Sequence, residues 1–248
     1  MIKIERNFTP LFFTPVNVNA LTNAFKTNDT HVWQHKDVKE ACLTIGNKKC
    51  AYCEVVLNQK STYLEIDHFR DKNDYPNEVI QWENLLPACR HCNGTKSDHD
   101  VVNEPIINPA VDNPADHVFL KAYRLKGRDP LGEMTIEVLN LNDSEHFVTE
   151  RCKVGSFIEE KIEEAEIKFQ NYLSSPIPAR KRELNKIIRA LLKQCQKNAL
   201  FSAVSATSLH ESGEYAGIRA GMIRHNIWDP HYESLHQNSL LLRLPVSK

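Results

Sequence analysis

The sequence predicts an α+β fold in which a small hairpin-and-helix core is followed by a mostly α-helical C-terminal region. Three observations lead there. Two Cys-x-x-Cys pairs, Cys50/Cys53 and Cys89/Cys92, frame one stretch of the chain. Between them lies a strand-like run, Tyr63-Leu-Glu-Ile-Asp-His68. Beyond residue 145, apolar residues recur at helical spacing. Cysteines two residues apart bring both thiolates to one ion, and two such pairs complete a tetrahedral zinc set. The gap between the pairs is longer than a zinc ribbon needs, so the insert carries a task of its own.

Taken in order, residues 1–30 mix extended and helical signals, with Pro10 and Pro15 flanking Leu11-Phe12-Phe13. Val38, Ala41, Cys42 and Ile45 predict a helix over 35–46 that stops at Gly46. Glu54-Val-Val-Leu57 and Tyr63–His68 predict a hairpin about the polar turn Asn58–Ser61, with Asp67-His68 at the end of its second strand. A loop over 70–76 precedes a helix expected from near Asn84 to about Lys96, with Pro87 in its first turn. Residues 101–116 hold three prolines and read as a connector. His117–Tyr123 and Met134–Leu139 predict a second hairpin. Val154, Phe157, Ile158, Ile162, Ala165, Phe169 and Leu173 then form one helical stripe. After the break at Ser174–Pro178, a second stripe carries Leu184, Ile187, Ile188, Leu191, Leu192 and Cys195. Two further helices are expected over 214–225 and 232–242.

The bulk properties narrow the function. Of 248 residues, 41% are hydrophobic and 25% charged, as in ordinary globular proteins. A net charge of -1 excludes a free-standing binder that holds nucleic acid by global positive charge, but not an enzyme with a local basic surface. No stretch approaches the roughly 18 apolar residues of a membrane span. The start MIKIERNFTP lacks the apolar run of a signal peptide, and zinc explains the CxxC pairs better than disulfides do. A cytoplasmic location is therefore expected. Cys42, Cys152 and Cys195 are expected as small buried hydrophobes.

The residues between the cysteine pairs suit phosphodiester cleavage. That reaction needs an activated water, a Lewis acid and a fixed phosphate. His68 has the pKa of a general base. The Asp67 carboxylate and the Asn93 amide oxygen are hard ligands for Mg²⁺ or Mn²⁺. Arg70, Arg90 and Lys96 lie close enough in sequence to contact phosphate.

Asp67-His68, followed by Asn84-Leu-Leu-Pro-Ala-Cys-Arg-His-Cys92 and Asn93, resembles the HNH (ββα-metal) endonucleases, whose core is a hairpin carrying Asp-His and then a helix. The resemblance implies a zinc-stapled HNH nuclease domain over 1–144, with its ββα-metal core at about 48–98. It makes His68 the general base, Asp67 and Asn93 the catalytic-metal ligands, and Asn84 a brace for the loop behind His68. The family most often has His at the last position, where this chain has Asn93. His91 is the competing residue, and its place between two cysteines aims it away from Asp67. Across the first 145 residues, segments such as IINPAVDNPADH and TIEVLNLN resemble the nuclease subunits of Septu anti-phage systems, which also occur as retron-associated effectors. That resemblance implies a PtuA-like ATPase partner and a nucleic acid substrate (DNA or RNA), and the helical region 145–248, which has no catalytic motif, is expected to carry the partner interface. The alternative is a catalytically inactive, zinc-stabilised nucleic-acid-binding or adaptor module. Such a module has no chemical reason to keep Asp67, His68, Asn84 and Asn93 together. A stand-alone homing or restriction enzyme is disfavoured by the neutral charge and the lack of a DNA-reading module.

Overall fold

The computed structural model describes residues 1–59 and 62–247. These form two compact units, residues 1–118 with 126–141, and residues 119–125 with 142–248. The mixed α+β class is the predicted one.

In the first unit, α1 (Pro15–Asn28) begins on Thr14, whose hydroxyl accepts from the Asn17 N–H, with Pro15 preset for the first turn. Helix α2 (Lys36–Ile45) buries Val38, Ala41, Cys42 and Ile45, the predicted stripe. It ends at Gly46, where a β-carbon would lie 2.5 Å from Pro87 Cγ and 2.8 Å from the Lys49 carbonyl. Only glycine lets the chain leave the helix this close to the next layer.

The central sheet is antiparallel, β1 (Leu64–His68) against β2 (Leu85–Cys89), with Ile66 opposite Pro87 and His68 opposite Leu85. The helix α3 (Arg90–Lys96) follows directly, with Cys89 as its N-cap. This corrects two expectations. The partner of β1 is not Glu54–Leu57: Glu54 sits at φ 67°, in the left-handed region, and Lys49 meets Val56 in an isolated bridge. That segment is a tight knuckle around Cys50 and Cys53. The predicted turn Asn58–Ser61 lies partly outside the described residues. Nor does a helix start at Asn84, because Leu85–Cys89 is buried throughout and lies extended against β1. A short buried apolar run reads equally as helix or strand until its partner is known. Pro87 has no amide hydrogen to give the ladder, but its carbonyl accepts from the Ala51 N–H at 2.8 Å and ties the knuckle to β2.

The connector leads through a short α4 (Pro114–His117) to β3 (Val118–Lys121) and β4 (Arg124–Gly127). Ala122 and Tyr123, at φ 48° and 61°, make the two-residue turn that suits a hairpin's twist. The predicted strand Met134–Leu139 is instead part of α5 (Pro130–Val138). Asp129 caps it by accepting from the Gly132 N–H at 2.8 Å, and Pro130 fills the first position. This cap outweighs the strand preference of Thr135, Ile136 and Val138.

The second unit is helical: α6 (Thr149–Ser174), α7 (Pro178–Gln194), α8 (Ser202–Glu211), α9 (Gly213–Arg224) and α10 (Pro230–Leu240). Its core joins Ile158, Ile162, Ala165 and Phe169 of α6 to Leu184, Ile187, Ile188, Leu191 and Leu192 of α7. Phe157 and Leu173, placed on the stripe by periodicity, are 45% and 37% exposed at its margins. Cys42 and Cys195 are buried as expected, whereas Cys152 is exposed. Gly155 of α6 lies under the β3–β4 turn, where a β-carbon would meet the Tyr123 ring at 2.1 Å. No helix among the described residues is long and apolar enough to cross a membrane.

Candidate active site and zinc centre

The knuckle and the start of α3 bring four sulfurs together. Cys50, Cys53, Cys89 and Cys92 are all buried, and their Sγ atoms lie within 4.8 Å of one another, with Cys53 and Cys89 at 3.6 Å. A tetrahedral zinc with about 2.3 Å bonds needs sulfurs about 3.8 Å apart, so the set fits zinc. Burial, with hydrogen bonds from neighbouring sulfurs, pushes the Cys53 and Cys92 thiols well up, while hydrogen bonds from the other three hold Cys89 well down. Four buried sulfurs this close together are a site that zinc completes, because they bind it as thiolates and release their protons.

Beside this centre, a polar cavity of about 430 Å³ is lined by Asp67, His68 and Asn93, with Trp33, Asp71 and Lys72 among its other walls. His68 ends β1 and is 7% exposed. Its Nε2 meets the Val79 carbonyl at 2.9 Å, and its ring stands edge-on to Trp33 at 5.0 Å. A carbonyl can only accept, so Nε2 carries the proton and Nδ1 keeps the lone pair. Burial is the largest influence on His68 and lowers its pKa below the usual histidine value. The imidazole is thus neutral at pH 7.

Asp67 is held from two sides. Tyr52 donates to Oδ2 at 2.5 Å and the Lys96 ammonium meets Oδ1 at 3.1 Å. Each carboxylate oxygen retains a further lone pair. Asn93 donates through Nδ2 to Glu65 at 2.7 Å, which leaves Oδ1 as an acceptor. An aspartate and an amide oxygen on a cavity that also presents Asp71 and Asp98 are a donor set fitted to a hard divalent cation. His91 does not line this cavity.

Asn84 clamps the loop between the strands. Its Oδ1 accepts from the Arg70 N–H at 2.7 Å, and its Nδ2 donates to the carbonyls of Arg70 and Glu78 at 3.0 and 3.3 Å. Its own carbonyl accepts from the Phe69 N–H. Both sides of the loop that supplies Val79 are fixed by one amide.

The three sequence-derived phosphate ligands separate. Arg90 is exposed at the start of α3, and Arg70 is exposed but paired with Glu78 at 3.0 Å. Lys96 is the correction. It is 1% exposed, and its ammonium points inward to Asp67 and to the His68 carbonyl at 2.8 Å. A buried ammonium in this pair cannot meet a phosphate. It compensates the Asp67 charge and locks α3 to the end of β1. Lys72, which sequence reasoning passed over, is the cation on the cavity wall. Tyr52 and Val79 were also missed. Neither carries a local signal, because each acts through a long-range contact.

The burial of Lys96 has a measurable consequence. Lys96→Met leaves a buried carboxylate with one donor, and is expected to cost about 3–5 kcal/mol of unfolding free energy. A solvated lysine would change denaturant unfolding by less than about 0.5 kcal/mol, and that result would remove the buried pair.

A ββα element bearing His68, Asp67 and Asn93 beside a four-cysteine centre defines a metal-dependent nuclease class. The HNH endonuclease family model matches residues 50–99, which span both cysteine pairs and the cavity. Over 243 residues the chain is 37% identical to Septu protein PtuB of Bacillus thuringiensis, covering 96% of this chain and 93% of that one. A second Septu protein PtuB, from Bacillus mycoides (strain KBAB4), is 29% identical over 206 residues, or 65% of this chain and 69% of its own length. The chain belongs to the PtuB family of Septu proteins and is an HNH endonuclease. No solved structure matches it.

Proposed function

We propose that the chain is the nuclease effector of a cytoplasmic anti-phage complex whose partner is a PtuA-like ATPase and whose substrate is DNA or RNA. The observation that carries this reading is the convergence of His68, Asp67 and Asn93 on one polar cavity. His68 Nδ1 takes a proton from water as the water oxygen attacks phosphorus, the P–O bond to the departing sugar oxygen breaks, and that oxygen takes a proton from solvent water. Nε2, fixed on Val79, keeps that ring nitrogen aimed throughout. Asp67 and Asn93 would hold Mg²⁺ or Mn²⁺, which would supply positive charge to the phosphate oxygens. Asn84 holds the His68 loop, and Lys96 holds Asp67. Lys72, Arg70 and Arg90 offer cations to the phosphates on either side. In this reading the nuclease domain is residues 1–144, and the helical region 145–248 carries the partner interface.

The complex with its ATPase, incubated with labelled DNA and RNA, is expected to cleave at least one of them in Mg²⁺ or Mn²⁺ and to stop in EDTA. A folded, zinc-loaded complex that cuts neither substrate with either ion would favour the inactive-adaptor reading.

A further inference from the structure

Charge is segregated in the helical unit. Helix α7 carries Arg180, Lys181, Arg182, Lys186, Arg189 and Lys193 against one acid, Glu183, in a chain of net charge -1. Its buried face is fixed by Leu184, Ile187, Ile188, Leu191 and Leu192. Arg182, Lys186, Arg189 and Lys193, spaced four, three and four apart, are therefore aligned on the outward side. All four are exposed, and among the described residues none forms an ion pair. The helix's acid is already taken, since Glu183 meets Lys168 at 3.0 Å.

Together with Asn185 and Ala190, these four cations line a shallow concavity of about 470 Å³. A solvated helix face ordinarily mixes both signs along its length. Four like charges over about 16 Å of helix repel one another, and a polyanion would relieve that repulsion. A nucleic acid strand offers a phosphate at comparable intervals.

We propose that the Arg182–Lys193 face of α7 binds the sugar-phosphate backbone of the substrate without regard to sequence. This rests on the nuclease reading and adds a second substrate contact, outside the HNH motif. It also reconciles nucleic acid binding with a neutral chain, because the positive charge is concentrated on one face.

The test uses the full chain in the His68→Ala background, so that the substrate stays intact. Arg182→Gln, Lys186→Gln, Arg189→Gln and Lys193→Gln are combined. Binding to labelled single-stranded and duplex DNA and RNA is followed by anisotropy between 50 and 200 mM salt. The fourfold variant is expected to bind at least tenfold more weakly. Its log–log salt slope should be shallower by roughly 2–4, since each lost phosphate contact removes about 0.7–0.9. A companion variant with Arg182→Lys and Arg189→Lys should keep the parental slope, because only charge is required. Unchanged affinity and slope in the fourfold variant would overturn the proposal. So would unchanged binding with loss of the co-purifying ATPase, which would assign the face to an acidic protein surface. Residual cutting by His68→Ala bears only on the general base and leaves the binding contrast readable.

Discussion

His68→Ala is expected to lower phosphodiester cleavage by about 10²–10⁴-fold, the usual contribution of a positioned general base. The change should leave zinc content at the wild-type level, because His68 contacts Val79 and Trp33 and none of the four cysteines. Stability should fall by only about 1–3 kcal/mol, the ordinary cost of a buried truncation of this size. Two properties of the wild-type ring suit it to the proposed role of base. Its Nε2 proton is committed to a carbonyl, which leaves Nδ1 basic, and burial keeps it neutral at working pH. Added imidazole should therefore restore part of the lost rate in His68→Ala, since the vacated space opens on the cavity. A purely structural histidine would show no such rescue. Wild-type cleavage by the variant would remove His68 from the mechanism.

The site was legible in the sequence where chemistry is written in local spacing, and obscure where it depends on long-range contacts. Two CxxC pairs announce four thiolates, and those thiolates do meet. Asp67-His68 and Asn93 lie far apart in the chain, yet share a cavity because β1 and α3 pack together. The strand pairing was harder to read. A local rule pairs neighbouring runs, and Glu54–Leu57 lay nearer to β1 in sequence than Leu85–Cys89 did. The knuckle's own geometry prevents that pairing, because Glu54 turns into the left-handed region and its carboxylate receives Lys49 at 2.8 Å. Lys96 misled for a related reason: a lysine one turn beyond a metal-ligand motif reads as surface charge until Asp67 is seen to need a counterion. In the helical unit, α6 and α7 carried one-sided stripes and were found. Helix α8 was not, because Ser202 through Thr207 are all buried and a helix enclosed on every side has no periodicity to detect.

Cys89→Ser is expected to have the largest effect on the fold. Cys89 stands at the junction of three structures: it ends β2, caps α3 by accepting from the Cys92 N–H, and faces Cys53 of the knuckle at 3.6 Å. Serine keeps a capping oxygen but gives zinc a poor ligand in a set of three sulfurs. Structural zinc contributes about 10–16 kcal/mol of apparent binding free energy, comparable with the entire stability of a domain of this size. The elements that carry the ligands are short, five residues each in β1 and β2 and seven in α3, so the zinc is expected to supply much of what holds them in register. The second unit has its own core, built without the zinc ligands. Metal analysis should find zinc in wild type and less than a tenth of an equivalent in Cys89→Ser. Circular dichroism should retain the helical signal of residues 142–248, while hydrogen exchange across residues 46–98 loses its protection. The contrast with His68→Ala decides between the two tasks of this segment. One variant should lose cleavage and keep zinc and protection, and the other should lose all three. A Cys89→Ser protein that keeps a full zinc equivalent, or wild type purified with none, would remove the four-cysteine centre from the account of this fold.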